Sequence, residues 1–250
     1  MSTCTVVVPC FNEAARLDVK AFAAFTAHTD VHFLFVDDGS TDDTIRVLRE
    51  LESLCPERIR VHPLSSNVGK AEAVRLGLVE ACRSRPTYVA FWDADLATPL
   101  DDIVPFAQLL DSRPEIEMVF GSRVNLLGRS VHRRLLRHYV GRVFATAAAA
   151  VLGLGIYDTQ CGAKMFRATD RFIAQLQEPF IGGWIFDVEM IARDVRTRRG
   201  TDLPPTSTVI YEFPLTVWRD VAGSKIKPRD WFIVGANLGR IYFKYLWRRR

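Results

Sequence analysis

Two aspartates one residue apart, Asp93 and Asp95, close the apolar run Thr87-Tyr88-Val89-Ala90-Phe91-Trp92. In an extended backbone, residues i and i+2 share a face. The spacing therefore predicts a pair of hard oxygen donors at a strand end. Such a pair suits Mg²⁺ or Mn²⁺, which in turn attract a diphosphate. Taken alone, Asp-Ala-Asp reads better as an ordinary turn after a buried strand, where aspartate is common.

Three further clusters shift that balance. In Val6-Val7-Val8-Pro9-Cys10-Phe11-Asn12-Glu13, an apolar run ends in an aromatic, an amide and a carboxylate. The aromatic can stack on a nucleobase and the polar groups can read its edge. In Val36-Asp37-Asp38-Gly39-Ser40, paired carboxylates can accept from base N–H and ribose hydroxyl groups, and Gly39 permits close backbone approach. In Asn67-Val68-Gly69-Lys70, glycine and lysine open a helix, and helix N-termini bind phosphate.

The elements that must hold these clusters follow from periodicity. Strands are expected at 5–9, 32–37, 58–62, 87–92, 117–121 and 209–213. Helices are expected at 13–28, from about 41 to 54, at 69–83 and at 100–112. Ser40 and Asp43 resemble a capping box for the second of these. A longer helix is expected at 133–154. Strands alternating with helices give an α/β chain with a mostly parallel sheet. Ligands then bind outside the carboxyl ends of the strands, where Pro9–Asn12, Asp37–Ser40 and Asp93–Asp95 all fall.

The 250 residues suffice for one large α/β domain or two small ones. Five cysteines without CxxC pairing argue against a zinc site or disulfide framework and for a reducing compartment. No signal peptide is read. The net charge of +4 is unevenly placed: no acidic residue lies between Glu117 and Asp158, an interval holding Arg123, Arg129, Arg133, Arg134, Arg137 and Arg142. That pattern suits an anionic surface such as phosphate or membrane headgroups. Residues 230–250 read as a helix rich in aromatics with one narrow polar stripe, lying on a bilayer, on the domain core, or on both.

In this order and spacing, the four clusters make the chain resemble the inverting glycosyltransferases of family 2, which have the GT-A fold. Within that family it is most similar to the dolichyl-phosphate β-glucosyltransferases. The segments that carry this are Phe120-Gly121-Ser122-Arg123, Asp158-Thr159-Gln160-Cys161-Gly162-Ala163-Lys164-Met165-Phe166, Gly183-Trp184-Ile185-Phe186-Asp187-Val188-Glu189 and Gly223-Ser224-Lys225-Ile226-Lys227-Pro228. The resemblance spans essentially the whole chain. It departs at Ala71, where the subgroup usually has glycine, and at Ala163, where it often has phenylalanine.

The resemblance implies a GT-A domain over residues 1–228, with a nucleotide-sugar-binding, Rossmann-like, mostly parallel sheet flanked by helices. The residue pattern at 229–250 adds an amphipathic, membrane-surface helix that is not a separate domain. The implied reaction moves a hexose, glucose from UDP-glucose first, onto a dolichyl or polyprenyl phosphate with inversion, using Mg²⁺ or Mn²⁺. Pro9, Phe11, Glu13, Asp37, Asp38 and Gly39 would line the nucleoside pocket, with Lys70 near the diphosphate. Asp93 and Asp95 would hold the ion, Asp95 also acting in catalysis. Arg123, Arg133, Arg137 and Lys225 would face the acceptor phosphate. Asp158, Gln160, Trp184 and Asp187 would border sugar and acceptor, with Asp158 and then Asp187 as the carboxylate that takes or orients a proton. Eukaryotic members carry an N-terminal membrane helix that is not read here, which implies a peripheral enzyme on the cytoplasmic face of a membrane.

Competing readings are GDP-mannose as donor and a catalytically idle nucleotide-sugar-binding membrane module. A dehydrogenase lacks its GxGxxG after the first strand. Nucleic-acid binding would use the arginines and leave the acidic clusters idle.

Overall fold

Apolar strands and amphipathic helices alternate as β1 (Cys4–Cys10), α1 (Val19–His28), β2 (Val31–Asp37), α2 (Thr44–Leu54), β3 (Ile59–Pro63), α3 (Lys70–Cys82) and β4 (Tyr88–Trp92). Next come α4 (Ile103–Ser112), β5 (Met118–Ser122), a short β6 (Ser130–His132), α5 (Leu135–Leu152), β7 (Ala163–Arg167) and α6 (Asp170–Gln175). The remainder is α7 (Phe186–Arg198), α8 (Thr206–Val209), β8 (Ile210–Pro214), β9 (Val217–Arg219) and α9 (Asp230–Ile241), which runs into a π-helical turn at Tyr242–Leu246. The computed structural model describes residues 3–124, 127, 130–132, 135–219 and 230–247.

The main sheet has seven strands in the order β3-β2-β1-β4-β7-β5-β8, and β6 pairs with β9 beside it. Every pairing is parallel except those of β7, which runs antiparallel to both β4 and β5. Strand alternation divides the apolar residues between two cores. Val7, Leu34, Val36, Val89 and Phe91 face a core covered by α3, α5, α7 and α9; Val6, Val8, Phe33, Phe35, Tyr88 and Trp92 face one covered by α1, α2 and α4. The central helix α3 lies hard against the sheet at Gly77, where a Cβ would meet Val7 Cγ1 at 2.4 Å and Val36 Cγ2 at 2.8 Å.

Several expectations are corrected. The first helix starts at Val19 rather than Glu13, because Glu13–Leu17 is a turn and the Asp18 carboxylate caps the helix by accepting from Ala21 N at 3.0 Å. The Ser40/Asp43 capping box does not form; Ser40 Oγ accepts from Asn12 N, and α2 begins at Thr44, whose N–H donates to Asp42. Asp93–Asp95 is not extended backbone. The strand stops at Trp92, and a turn is closed by Leu96 N donating to Asp93 O at 3.3 Å. Both aspartates nevertheless stay at the carboxyl edge of the sheet.

Candidate active site

One side of the site is built where β1 and β2 end next to each other. Asp38 N donates to Cys10 O at 2.8 Å, which ties the two loops together. Asn12 takes a left-handed conformation (φ 54°), with its side-chain oxygen accepting from Thr41 N at 2.9 Å. Pro9 and Phe11 are half-buried beside this junction. Gly39 is required twice over: its φ is +63°, and a Cβ would sit 2.5 Å from the backbone of Ser66 and Asn67. The two aspartates behave differently. Asp37 accepts from Ser40 N at 3.3 Å. Both Asp38 oxygens are taken by the next loop, from Val68 N at 2.7 Å and Gly69 N at 3.0 Å. Asp38 thus fastens the loop that opens α3. Burial pushes its carboxyl above the usual range despite those two bonds. Glu13 is engaged by Arg16, whose Nε donates to it at 2.9 Å.

The acidic centre lies one strand over. Asp93 N donates to Gly162 O at 2.9 Å, and Gly162 leaves room for the carboxylate, since a Cβ there would lie 1.9 Å from Asp93 Oδ2. Among the described residues, no hydrogen bond of regular geometry reaches the buried Asp93 Oδ1; Lys70 Nζ stands 2.6 Å from it as an ion-pair partner. Asp95 accepts from Ala97 N at 3.1 Å. Its carboxyl is pushed up, by burial first and by the neighbouring Asp93 second. Burial alone would lower the Lys70 ammonium, but Asp93, Asp187 and Asp95 outweigh it and hold it raised. No cluster of three or more acidic, His or Cys side chains able to hold a metal occurs among the described residues. That donor set suits an ion which keeps some waters and completes its shell with substrate phosphates rather than an all-protein cage.

Two ion pairs form the far wall. Lys164 on β7 is fully buried between the rings of Phe91 and Phe120, its cross-strand neighbours, and pairs with Asp187 at the start of α7. Gln160 Nε2 donates to the same aspartate at 3.3 Å. Burial raises the Asp187 carboxyl although Lys164 and Lys70 oppose the shift. Asp158 is gripped by Arg123, with Nε to Oδ2 at 2.7 Å and Nη2 to Oδ1 at 2.8 Å, and also accepts from Gln160 N and Arg123 N. Glu212 on β8 accepts from Asp158 N and Tyr157 N, each at 2.8 Å. Asp158 is therefore a saturated acceptor, poorly suited to take a proton. Arg123 is spent on holding it and on the face of Trp218, 5.4 Å from its guanidinium carbon. Arg142 likewise stacks on Tyr157. Arg133 and Lys225 lie outside the described residues, as does the side chain of Arg137.

Trp184 sits on a short turn before α7 with Gly183 at φ +53°, and half its surface is exposed. Sequence reading missed Lys164, Glu212 and Arg16. Lys164 carried a signal, a cation set between Ala163 and the apolar pair Met165-Phe166.

The family model of glycosyl transferase family 2 matches residues 5–171. The chain belongs to glycosyl transferase family 2. This glycosyltransferase is 32% identical to a dolichyl-phosphate beta-glucosyltransferase of Drosophila melanogaster, over 98% of this chain and 76% of the relative. It is 30% identical to a protein of the same name from Saccharomyces cerevisiae, over 89% of this chain and 68% of the relative. Among solved structures it resembles glucosyl-3-phosphoglycerate synthase from Mycobacterium tuberculosis in complex with Mn²⁺, UDP and glucosyl-3-phosphoglycerate. That likeness has a TM-score of 0.64 at 21% identity, covers 97% of this chain and 80% of the other, and shows the GT-A fold.

Proposed function

We propose that this enzyme transfers glucose from UDP-glucose to a dolichyl or polyprenyl phosphate, with inversion, and acts as a peripheral protein at the cytoplasmic face of a membrane. The acceptor and sugar are those in the names of its relatives. One observation carries the chemistry: Asp93, seated against Gly162, keeps a buried oxygen with no regular hydrogen bond beside Asp95 and Lys70. Lys70 Nζ pairs with that oxygen at 2.6 Å, and a carboxylate oxygen keeps a further lone pair for a cation. Asp93 and Asp95 would hold Mg²⁺ or Mn²⁺. When bound, the ion would supply Lewis-acid neutralisation of the departing diphosphate. Lys70, at the first residue of α3, would add its charge and the helix N-terminus to the same phosphates. Pro9, Phe11, Glu13 and Asp37 would line the nucleoside, with Asp38 and Gly39 shaping the wall. Gln160, Trp184 and Asp187 would border the sugar.

In the transfer, the bond from the anomeric carbon to the diphosphate breaks while a bond to the acceptor phosphate oxygen forms on the opposite face. A phosphate monoester has a second pKa of about 6 and is mostly dianionic at neutral pH. It needs no base to become a nucleophile. Asp158, loaded by Arg123, and Asp187, paired with Lys164, then orient groups rather than carry protons.

The test is turnover of UDP-glucose and GDP-mannose with a short polyprenyl phosphate, with Mn²⁺ or with a chelator. UDP-glucose-dependent product that vanishes with the chelator is expected. Strict use of GDP-mannose, or unchanged turnover under chelation, would overturn the reading.

A further inference from the structure

The C-terminal helix has two unlike faces. Val234, Leu238, Ile241, Tyr245 and Leu246 are buried in the core against α7 and its neighbours. On the outer side, Ile233, Ala236, Arg240, Phe243 and Trp247 recur at three-to-four spacing and form one exposed stripe. Phe243 is 66% exposed and Trp247 53%, large values for aromatic rings. Their ring centroids lie 5.5 Å apart, so the two form one apolar knob. From Trp231 to Arg250 the sequence has no acidic residue and five basic ones, Arg240, Lys244 and Arg248-Arg249-Arg250. Off the stripe, the exposed Glu178 lies 3.3 Å from Lys244 Nζ. Rings flanked by Arg and Lys, with no acid on the stripe itself, match the headgroup layer of an anionic bilayer.

The same helix is joined to the active-site wall. An open groove is lined by Ile181, Ala236, Gly239, Arg240, Phe243 and Lys244, so the turn that carries Trp184 borders the stripe. Asn237 Nδ2 donates to Gly182 O at 3.1 Å. Ile181 N and Gly182 N donate to Glu189 Oε2 at 2.7 and 2.6 Å, and Tyr245 Oη donates to Glu189 Oε1 at 2.8 Å. Glu189 belongs to the first turn of α7, as does Asp187.

We propose that the outer stripe of α9 and its π-helical turn docks the enzyme on an anionic phospholipid surface, with Phe243 and Trp247 as apolar anchors and Arg240 and Lys244 as phosphate contacts. Through Asn237 and Tyr245, docking then orders the Gly182–Trp184 turn at the mouth of the site. The second half deepens the lipid-phosphate reading and rests on it; the first half does not.

Docking is read by co-sedimentation with phosphatidylcholine vesicles, with and without phosphatidylglycerol. The wild type is expected to follow the phosphatidylglycerol vesicles and to be released by salt. Phe243→Ser with Trp247→Ser, and separately Arg240→Gln with Lys244→Gln, should each weaken binding about tenfold at an unchanged melting temperature. Vesicle binding that survives both pairs of changes overturns docking. So does light scattering that shows the stripe to be the seat of a second copy. Coupling is read as the vesicle-dependent rise in turnover of a short-chain polyprenyl phosphate. Asn237→Ala should keep vesicle binding and lose that rise; a rise equal to wild type overturns the coupling. A wild type that sediments through the stripe and turns over no nucleotide sugar overturns the glucosyl reading and leaves docking intact.

Discussion

Asp95 is ionised at a cost in the metal-free protein, since burial first and Asp93 second hold its carboxyl above the ordinary range. A raised folded-state pKa means stability is lost as pH climbs from the unfolded value through the folded one. Asp95→Asn is therefore expected to melt higher than wild type at neutral pH in chelator. The advantage should close as pH falls below the raised value, and scanning calorimetry across pH reads it. The same change should lower kcat about 10²- to 10³-fold, the scale of removing one preorganised electrostatic contact. Lys164 shows the opposite balance. It is fully buried, and its removal leaves Asp187 as an uncompensated buried charge. Lys164→Met should cost about 3–5 kcal/mol in urea unfolding. Adding Asp187→Leu should return much of that stability, because the orphaned charge goes with it, but not activity.

At the scale of elements, two glycines decide how closely parts approach. A Cβ at Gly162 would meet Asp93 Oδ2 at 1.9 Å, and Asp93 is partly exposed, so its side chain can swing away. Gly162→Ala should leave melting nearly unchanged and lower turnover at least about tenfold, since reacting groups displaced by 1 Å lose up to 10²-fold. At Gly77 the obstacles are Val7 and Val36 inside the core, and neither can leave. Gly77→Ala should cost about 1–3 kcal/mol in the same unfolding measurement, as overpacking does. The parallel strands β1, β2 and β4 were legible because strands buried on both faces read as unbroken apolar runs, and their polar ends marked the site. β7 was not. Its five residues include Lys164 and Arg167, and polar residues in a buried strand break the pattern that periodicity detects. Its antiparallel insertion between β4 and β5 also depends on long-range pairing that local spacing does not encode. The grip of Arg123 on Asp158 was not legible for a related reason: the two are 35 positions apart in sequence.

Taken whole, the molecule separates its charges. The carboxyl edge of the sheet gathers Asp37, Asp38, Asp93 and Asp95, while the chain as a whole carries +4. The acidic edge suits a cation with a nucleotide, and the net positive charge suits an anionic partner. Of the placements expected for the C-terminal helix, the one on the core holds for one face, and the other face is an exposed aromatic and basic stripe. No helix among the described residues is long and apolar enough to cross a membrane. The central claim is that Asp93 and Asp95 seat a divalent ion that joins protein to nucleotide, and calorimetric titration of UDP with and without Mn²⁺ tests it most directly. Wild type should bind UDP more tightly with Mn²⁺, and Asp93→Asn should lose that gain while keeping its metal-free affinity. Equal UDP affinity with and without Mn²⁺ in the wild type, or a gain retained by Asp93→Asn, would contradict it.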